Sequence, residues 1–318
     1  MLNRRHLRIK VLQTLYAFTQ TEGVEFLWAK KELLKAIDQM YVLYISLLQI
    51  FPELKVKAER RIDDNKNKYL PSEEDLHPNE KFVNNKVIQL IEGNTELRRQ
   101  TEIIKANWMG AEKQELMRKL FMQILQSETY FEFMNNNKEG FEEDKEFMVQ
   151  LFKTEIANFE LLYDFFEEQS VYWMDDIDLT CSMVLKTIKS FEENKENRNE
   201  ILPLYKADDD EQEFIVTLLR EAIQNREDNL RIIDQLTKNW ELERIAKMDV
   251  LLMELAITEL IHFNNIPTKV TLNEYIDISK YYSTPKSNVF INGILDKAIE
   301  LLEKEGRIKK TGRGLIKE

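Results

Sequence analysis

Glycine and proline are scarce in this 318-residue sequence, at 8 and 6 residues, against about 7% and 5% in ordinary chains. Few breakers, with abundant Leu, Ile, Glu and Lys, predict helices nearly throughout and an all-α fold. Cysteine is reduced to one, Cys181, which excludes an internal disulfide and fits a reducing cytosol. The three histidines, His6, His77 and His262, lie far apart, and none has a metal-ligand spacing. CxxC, HExxH, phosphate-loop and GxGxxG motifs are absent, so nothing calls for a cofactor or a metal. Asp208, Asp209 and Asp210 stand in a polar linker, where a solvated charge run or a helix N-terminus is the expectation. No apolar run approaches the ~20 residues of a membrane span. The most apolar windows, 40–51 and 250–261, are short and interrupted and predict buried helices. No signal-peptide pattern follows Leu2, and a cytoplasmic protein without membrane contact is expected.

What is present is a usable core and an uneven charge. Hydrophobic residues make up 43% and charged residues 32%, enough for one large domain or two smaller ones. The net charge is −12, which by itself argues against a nucleic-acid binder. Its distribution reverses that argument. Residues 1–18 hold Arg4, Arg5, Arg8 and Lys10 with no acid, and residues 307–318 hold five cations against Glu318. Each end is net +4, so the body between them is strongly acidic. Basic patches of this kind are the electrostatic footprint of a phosphate-contacting surface; two solvated charged ends are the plainer alternative. His6, among the arginines, fits a phosphate contact or an ordinary surface histidine.

Periodicity places the helices. Asn3 is positioned to cap a helix from Arg4, whose Leu7, Val11, Leu15 and Phe18 form one stripe with Leu12 and Tyr16 beside it. The stripe anchors the second half of that helix and leaves the arginine-bearing first turn for a ligand. Residues 28–51 predict a strongly apolar helix, and 52–78, with two bounding prolines and many polar residues, an exposed loop. Amphipathic helices are predicted over 82–92, 112–134, 146–168 and 175–193, with polar breaks at 135–140 and 194–199. Beyond residue 210, Phe214, Leu218, Leu219, Ala222 and Ile223 share one face, and Leu230, Ile233 and Leu236 the next. A buried helix over 245–263 stops at Asn264, Asn265 and Pro267. Thr271 and Glu274 have capping-box spacing for a helix reaching Tyr282. Thr284 and Pro285 suit the cap and first position of a last helix, which ends at Gly306. Asn292-Gly293 is a hairpin signal in isolation, but Phe290, Ile291, Ile294, Leu295, Ala298, Ile299 and Leu302 keep helical spacing through it, so helix prevails. A glycine there costs about 1 kcal/mol, which points to close approach of another helix or a ligand.

Residues 240–302 carry N-x-I-P-x-K-V-x-x-N-E followed by S-x-x-F-I-N-G-I-L-D-K, and residues 4–18 read RRHLRIKVLQTLYAF. Together they resemble the C-terminal half and the arginine-rich first helix of the transcription antitermination factor NusB family. The resemblance implies an all-α, NusB-like helical bundle of residues 1–20 and 205–318. Residues 21–204 are then a large acidic helical insertion of unassigned role after the first helix, part of which has room to replace the family's second helix. It further implies a non-catalytic factor in ribosomal RNA transcription and maturation. Such a factor binds boxA-type nascent RNA with the ribosomal protein NusE, within the RNA polymerase antitermination complex. A homodimer stays open.

By the same resemblance Arg4, Arg5 and Arg8 are the expected RNA contacts. Guanidinium groups suit phosphate forks and base stacking. Phe290 matches the family's F-x-N-G aromatic, for base stacking or for core packing. Lys286 and Asn288 open the same helix, with Lys286 departing from a position often acidic in the family. Lys269 and Lys280 match family lysines, as RNA contacts or as solvated charges. Tyr16 and Asp249 match the NusE-facing side, where an acidic surface suits a basic partner. Glu254 departs from an arginine usual in the family. Two other readings stand beside this one. A helical protein–protein scaffold in ribosome biogenesis would not bind RNA directly. A ribosomal RNA cytosine methyltransferase with a NusB-like domain would need the nucleotide fold and Pro-Cys motif that this chain lacks.

Overall fold

The computed structural model describes residues 4–205, 210–237 and 244–315. The predicted cap Asn3, the acids Asp208 and Asp209 and the opening residue Trp240 of the motif lie outside these. Sixteen α-helices and no strand occur among the described residues. They are α1 (Arg4–Gln20), α2 (Phe26–Leu48), α3 (Ile50–Lys66), α4 (Glu73–Leu76), α5 (Lys86–Gly93), α6 (Thr95–Ile104), α7 (Ala111–Gln126), α8 (Glu128–Asn135), α9 (Phe141–Leu151), α10 (Glu160–Gln169), α11 (Ile177–Ser190), α12 (Glu211–Gln224), α13 (Arg226–Leu236), α14 (Lys247–His262), α15 (Thr268–Tyr282) and α16 (Ser287–Lys304). The chain divides into two compact units, Met1–Ile37 with Tyr205–Glu318, and Asp38–Leu204.

The first unit is built around α14. Every residue from Leu251 to Leu260 is buried, including Glu254 and Glu259. A helix apolar on all sides must be surrounded, and α1, α12, α13, α15 and α16 all pack on it. Each fully buried Leu or Ile contributes on the order of 1.5–3 kcal/mol. The observed α14 ends at His262, where Asn264 to Pro267 turn the chain, as the sequence predicts. α16 runs unbroken through Asn292-Gly293 and ends where Gly306 takes φ +67° and Arg307 N–H closes onto Leu302 O at 2.9 Å. That is a left-handed C-terminal cap. The close approach expected at Gly293 is not found: no heavy atom beyond its own helix backbone and chain neighbours lies within 4 Å of where a Cβ would stand.

Two caps differ from expectation. α15 begins at Thr268 on Pro267 without a side-chain cap; Thr271 and Glu274 are engaged elsewhere, as described below. α16 begins at Ser287, after a turn in which Thr284 Oγ1 meets Ser287 Oγ at 2.8 Å.

The second unit has its own core, in which Phe51, Phe82, Phe152, Phe166 and Phe191 are fully buried. Residues 52–78 are not one loop. Pro52 sits in the first turn of α3, where its missing N–H is not needed, and the helix runs on to Lys66. The predicted helix 112–134 breaks at Ser127, whose hydroxyl caps α8 by accepting from Tyr130 N–H at 3.2 Å. Helix 146–168 is likewise divided, by a π-type turn at Phe152–Ile156. Helix α6 was not predicted; Asn94 caps it through Leu97 N–H. Residues 26–66 are long and apolar enough to cross a membrane, contrary to the composition argument above, but 61% of the most apolar window is buried in the protein. A core helix explains it.

Candidate nucleic-acid interface

The arginine-rich turn of α1 is docked, not free. Arg8 falls on the same stripe as Val11, Leu12 and Leu15, and its side chain is 2% exposed. Its Nε and Nη2 donate to the two carboxylate oxygens of Glu259 on α14, both at 2.7 Å. Thr271 Oγ1 donates to the same carboxylate at 2.8 Å and Tyr275 OH at 3.3 Å, so its lone pairs are well used. Burial works to lower the Arg8 pKa, but Glu259 outweighs it and holds the guanidinium above its ordinary value. Burial and then Glu259 drive the Tyr275 phenol far up. Arg8 therefore cannot serve as a surface RNA contact in this conformation. It is the internal counter-ion of α14, and the expectation is corrected.

Arg5, one turn earlier, is half exposed. It forks onto Glu274 on α15, with Nε at 3.2 Å and Nη2 at 2.9 Å, and Nη2 also reaches Asp277 Oδ2 at 2.8 Å. The Glu274 hydrogen bond leads in raising its pKa. Lys280 joins the chain through Asp277 Oδ1 at 2.6 Å and is the first cause holding that carboxyl below its usual range. The structure thus brings Arg5 and Lys280 together around Asp277. Arg4 lies over the Phe214 ring of α12, 5.3 Å from its centroid. His6 is half-buried, and burial followed by Arg5 pushes its pKa down, which keeps it neutral at pH 7.

The remaining candidates sit around α15. Lys269 is exposed in its first turn, Lys280 in its last, and Lys286 just beyond. Asn288 and Phe290 are half-buried in the first turn of α16. Phe290 is therefore neither a core side chain nor a fully presented ring. On the partner side, Tyr16 is 41% exposed. Asp249 is not a partner surface: it is 5% exposed, accepts from Ser287 Oγ at 2.7 Å and is bonded to Ser283 Oγ. Its role in this conformation is to tie α14 to the turn between α15 and α16, again a correction.

Two acids escape the sequence reading, Glu259 and Asp277, and Glu274 is read there only as half of a capping box. Their signal was available, since a glutamate inside an apolar helix needs a buried cation, and Arg8 lies at helical spacing from Leu12 and Leu15. Among the described residues no group of three or more His, Cys, Asp or Glu side chains is placed to hold a metal.

The sequence model of the NusB family matches residues 179–300, from within α11 into α16. The chain is 44% identical to "Transcription antitermination protein NusB" of Salinibacter ruber over 33% of its own length and 65% of the relative. It is 42% identical to the protein of that name from Chloroherpeton thalassium, over 35% and 52% respectively. With the one from Acetivibrio thermocellus it shares 33% identity over 37% of this chain and 85% of that relative. The chain thus spans between about half and two thirds of the first two relatives and most of the third. No solved structure matches it. With a relative above 30% identity covered over 85% of its length, and the all-α fold in agreement, the chain belongs to the NusB family.

Proposed function

We propose that this protein is a non-catalytic, cytoplasmic transcription antitermination and ribosomal RNA maturation factor. It binds boxA-type single-stranded RNA together with NusE in the antitermination complex. The observation carrying this reading is its membership of a family whose relatives bear that name, joined to an arginine-bearing α1 laid across α15. In this reading Arg4, Arg5, Lys269, Lys280 and Lys286 supply phosphate contacts, and Asn288 and the half-exposed Phe290 meet a base. NusE docks beside Tyr16 and extends the surface, so each ligand tightens the other.

One observation favours the alternative of a protein–protein scaffold in ribosome biogenesis: Arg8 wholly, and Arg5 and Lys280 partly, spend their charge on internal carboxylates. The two are separated by titrating labelled boxA RNA at two salt concentrations, with and without NusE. Tighter, salt-sensitive and sequence-selective binding in the presence of NusE is expected. Each phosphate contact adds about 0.7 to the slope of log affinity against log salt for single strands. Arg4→Ala/Lys286→Ala should flatten that slope. RNA binding absent in every arm would end the RNA reading in favour of the scaffold.

A further inference from the structure

Residues 307–315, which follow α16, form a strap along the first unit, and its cations divide into two sets. Two are spent on anchoring. Arg307 pairs with Asp228 on α13 at 2.5 Å, and Lys310 Nζ donates to Phe263 O at 2.9 Å. One backbone contact completes the attachment: Thr311 N–H donates to Asn264 O at 2.9 Å, while Gly314 N–H closes a turn within the strap onto Thr311 O at 2.9 Å. Gly314 is pressed so close that a Cβ there would meet Asn264 O at 2.0 Å, backbone that cannot yield. Gly312, at φ +53°, supplies a left-handed turn. Seating Lys310 carries a cost: burial pushes its pKa down to about 8.

The other two cations, Lys309 and Arg313, are exposed and make no hydrogen bond or ion pair among the described residues. The strap crosses the turn between α14 and α15, and α15 carries Lys269 in its first turn. Phe263, the residue that Lys310 grips, packs edge-on against Phe214 with centroids 5.1 Å apart. The face of Phe214 holds the Arg4 guanidinium. Arg4, Phe214, Phe263 and the strap are thus contiguous. A merely solubilising tail needs neither the glycine fit nor the half-buried lysine.

We infer that the strap is a second phosphate-binding element, in which Lys309 and Arg313 extend the α1 surface past Lys269 and hold the backbone of a single-stranded RNA. The inference rests on the RNA reading above. It takes the charge that sequence alone places diffusely at residues 307–318 and assigns it to two side chains on a fixed backbone.

The test is titration of a short labelled boxA-type RNA with the full chain, with Lys309→Glu/Arg313→Glu, and with a charge-matched control, Lys119→Glu/Lys153→Glu, whose lysines are exposed in the second unit. The strap variant is expected to bind at least roughly tenfold more weakly at 0.1 M salt, with the salt slope reduced by about 1.4 for two lost contacts. The control should bind as the parent does. Equal weakening by the control would mean net charge alone and overturn the inference. Parent-like binding by the strap variant would overturn it too, while leaving the RNA reading standing. If that variant lost NusE binding instead, the strap would face protein and the inference would fail. A parent chain that binds no RNA would remove the underlying reading first.

Discussion

Glu254 is buried at a cost in the first unit, and substituting it should stabilise the protein in a pH-dependent way. It is 0% exposed, and neither carboxylate oxygen accepts a hydrogen bond. The nearest cation, Arg226 Nε, stands at 3.5 Å and is itself without a hydrogen bond. Burial outweighs Arg226 and pushes the Glu254 pKa from 4.5 up to about 7. Between those values the folded chain holds a proton that the unfolded chain has released, so stability falls as pH rises. At 1.36 kcal/mol per pKa unit the full loss is about 3 kcal/mol, of which roughly 2 falls between pH 5.5 and pH 8. Glu254→Gln removes the ionisation and keeps the shape. Its advantage over the parent should therefore widen by roughly 2 kcal/mol from pH 5.5 to pH 8, a shift in Tm of several degrees. Denaturant unfolding at the two pH values measures this directly. A gap that stays constant would mean that Glu254 does not titrate in this range. A variant less stable than its parent at pH 8 would mean an ionised Glu254 that gains more from Arg226 than burial costs it.

Arg8→Met should cost about 3–5 kcal/mol by stranding the Glu259 charge, with Arg8→Met/Glu259→Gln recovering most of it; a single variant costing under about 1 kcal/mol would place Arg8 in solvent. In the second unit, Tyr44 OH accepts from Leu202 N–H at 3.0 Å and meets Thr187 Oγ1 at 2.6 Å. Tyr44→Phe should therefore cost about 1–3 kcal/mol in unfolding experiments, and a neutral result would show that Leu202 finds another partner. Gly293→Ala has open space for its methyl and should gain about 1 kcal/mol of helix propensity; a loss would reveal a packing contact there. Gly314→Ala should unseat the strap and speed trypsin cleavage at Lys309 and Lys310, and an unchanged cleavage rate would show that the Asn264 contact does not hold it.

Legibility followed periodicity. The apolar stripes of α1, α12 and α16 are plain in the sequence because 3.6-residue spacing survives any tertiary context, and that spacing carries α16 through Asn292-Gly293 against a strong local turn signal; α14 is legible instead as an apolar window. Breaks set by single caps were not. As caps, Ser127 and Asn94 each accept one backbone N–H, a signal no stronger than many serines and asparagines nearby. Pro52 misled because proline ends helices and also begins them. The site was legible in residue type but not in exposure. Arg8 and Asp249 are read as contact residues from the family resemblance, which gives residue type but not exposure, whereas here each is a partner for a group on another element. That pairing is information two sequence segments hold only jointly.

The central helix shows how such pairing shapes the candidate surface. Its acids Asp249, Glu254 and Glu259 are spaced five residues apart, so each points about 140° around the axis from the last and meets a different neighbour. Asp249 is met by the hydroxyls of Ser283, in the turn between α15 and α16, and Ser287, which opens α16; Glu259 is met by Arg8 of α1 with Thr271 and Tyr275 of α15, and Glu254, among the described residues, by Arg226 of α13. Two of these carboxylates are satisfied and fix the position of the helices that carry the RNA-facing candidates. Arg8 is the key piece: by burying its own charge it sets the depth at which α1 lies and so holds Arg4 on Phe214, in line with Lys310 and the strap. In the proposed RNA reading, the basic first helix would contribute to recognition in two ways, with Arg8 determining where the helix sits and Arg4 and Arg5 set out along the edge it defines. A reversal of the exposed Lys309 should then alter RNA affinity at constant stability, whereas loss of Arg8 should alter both.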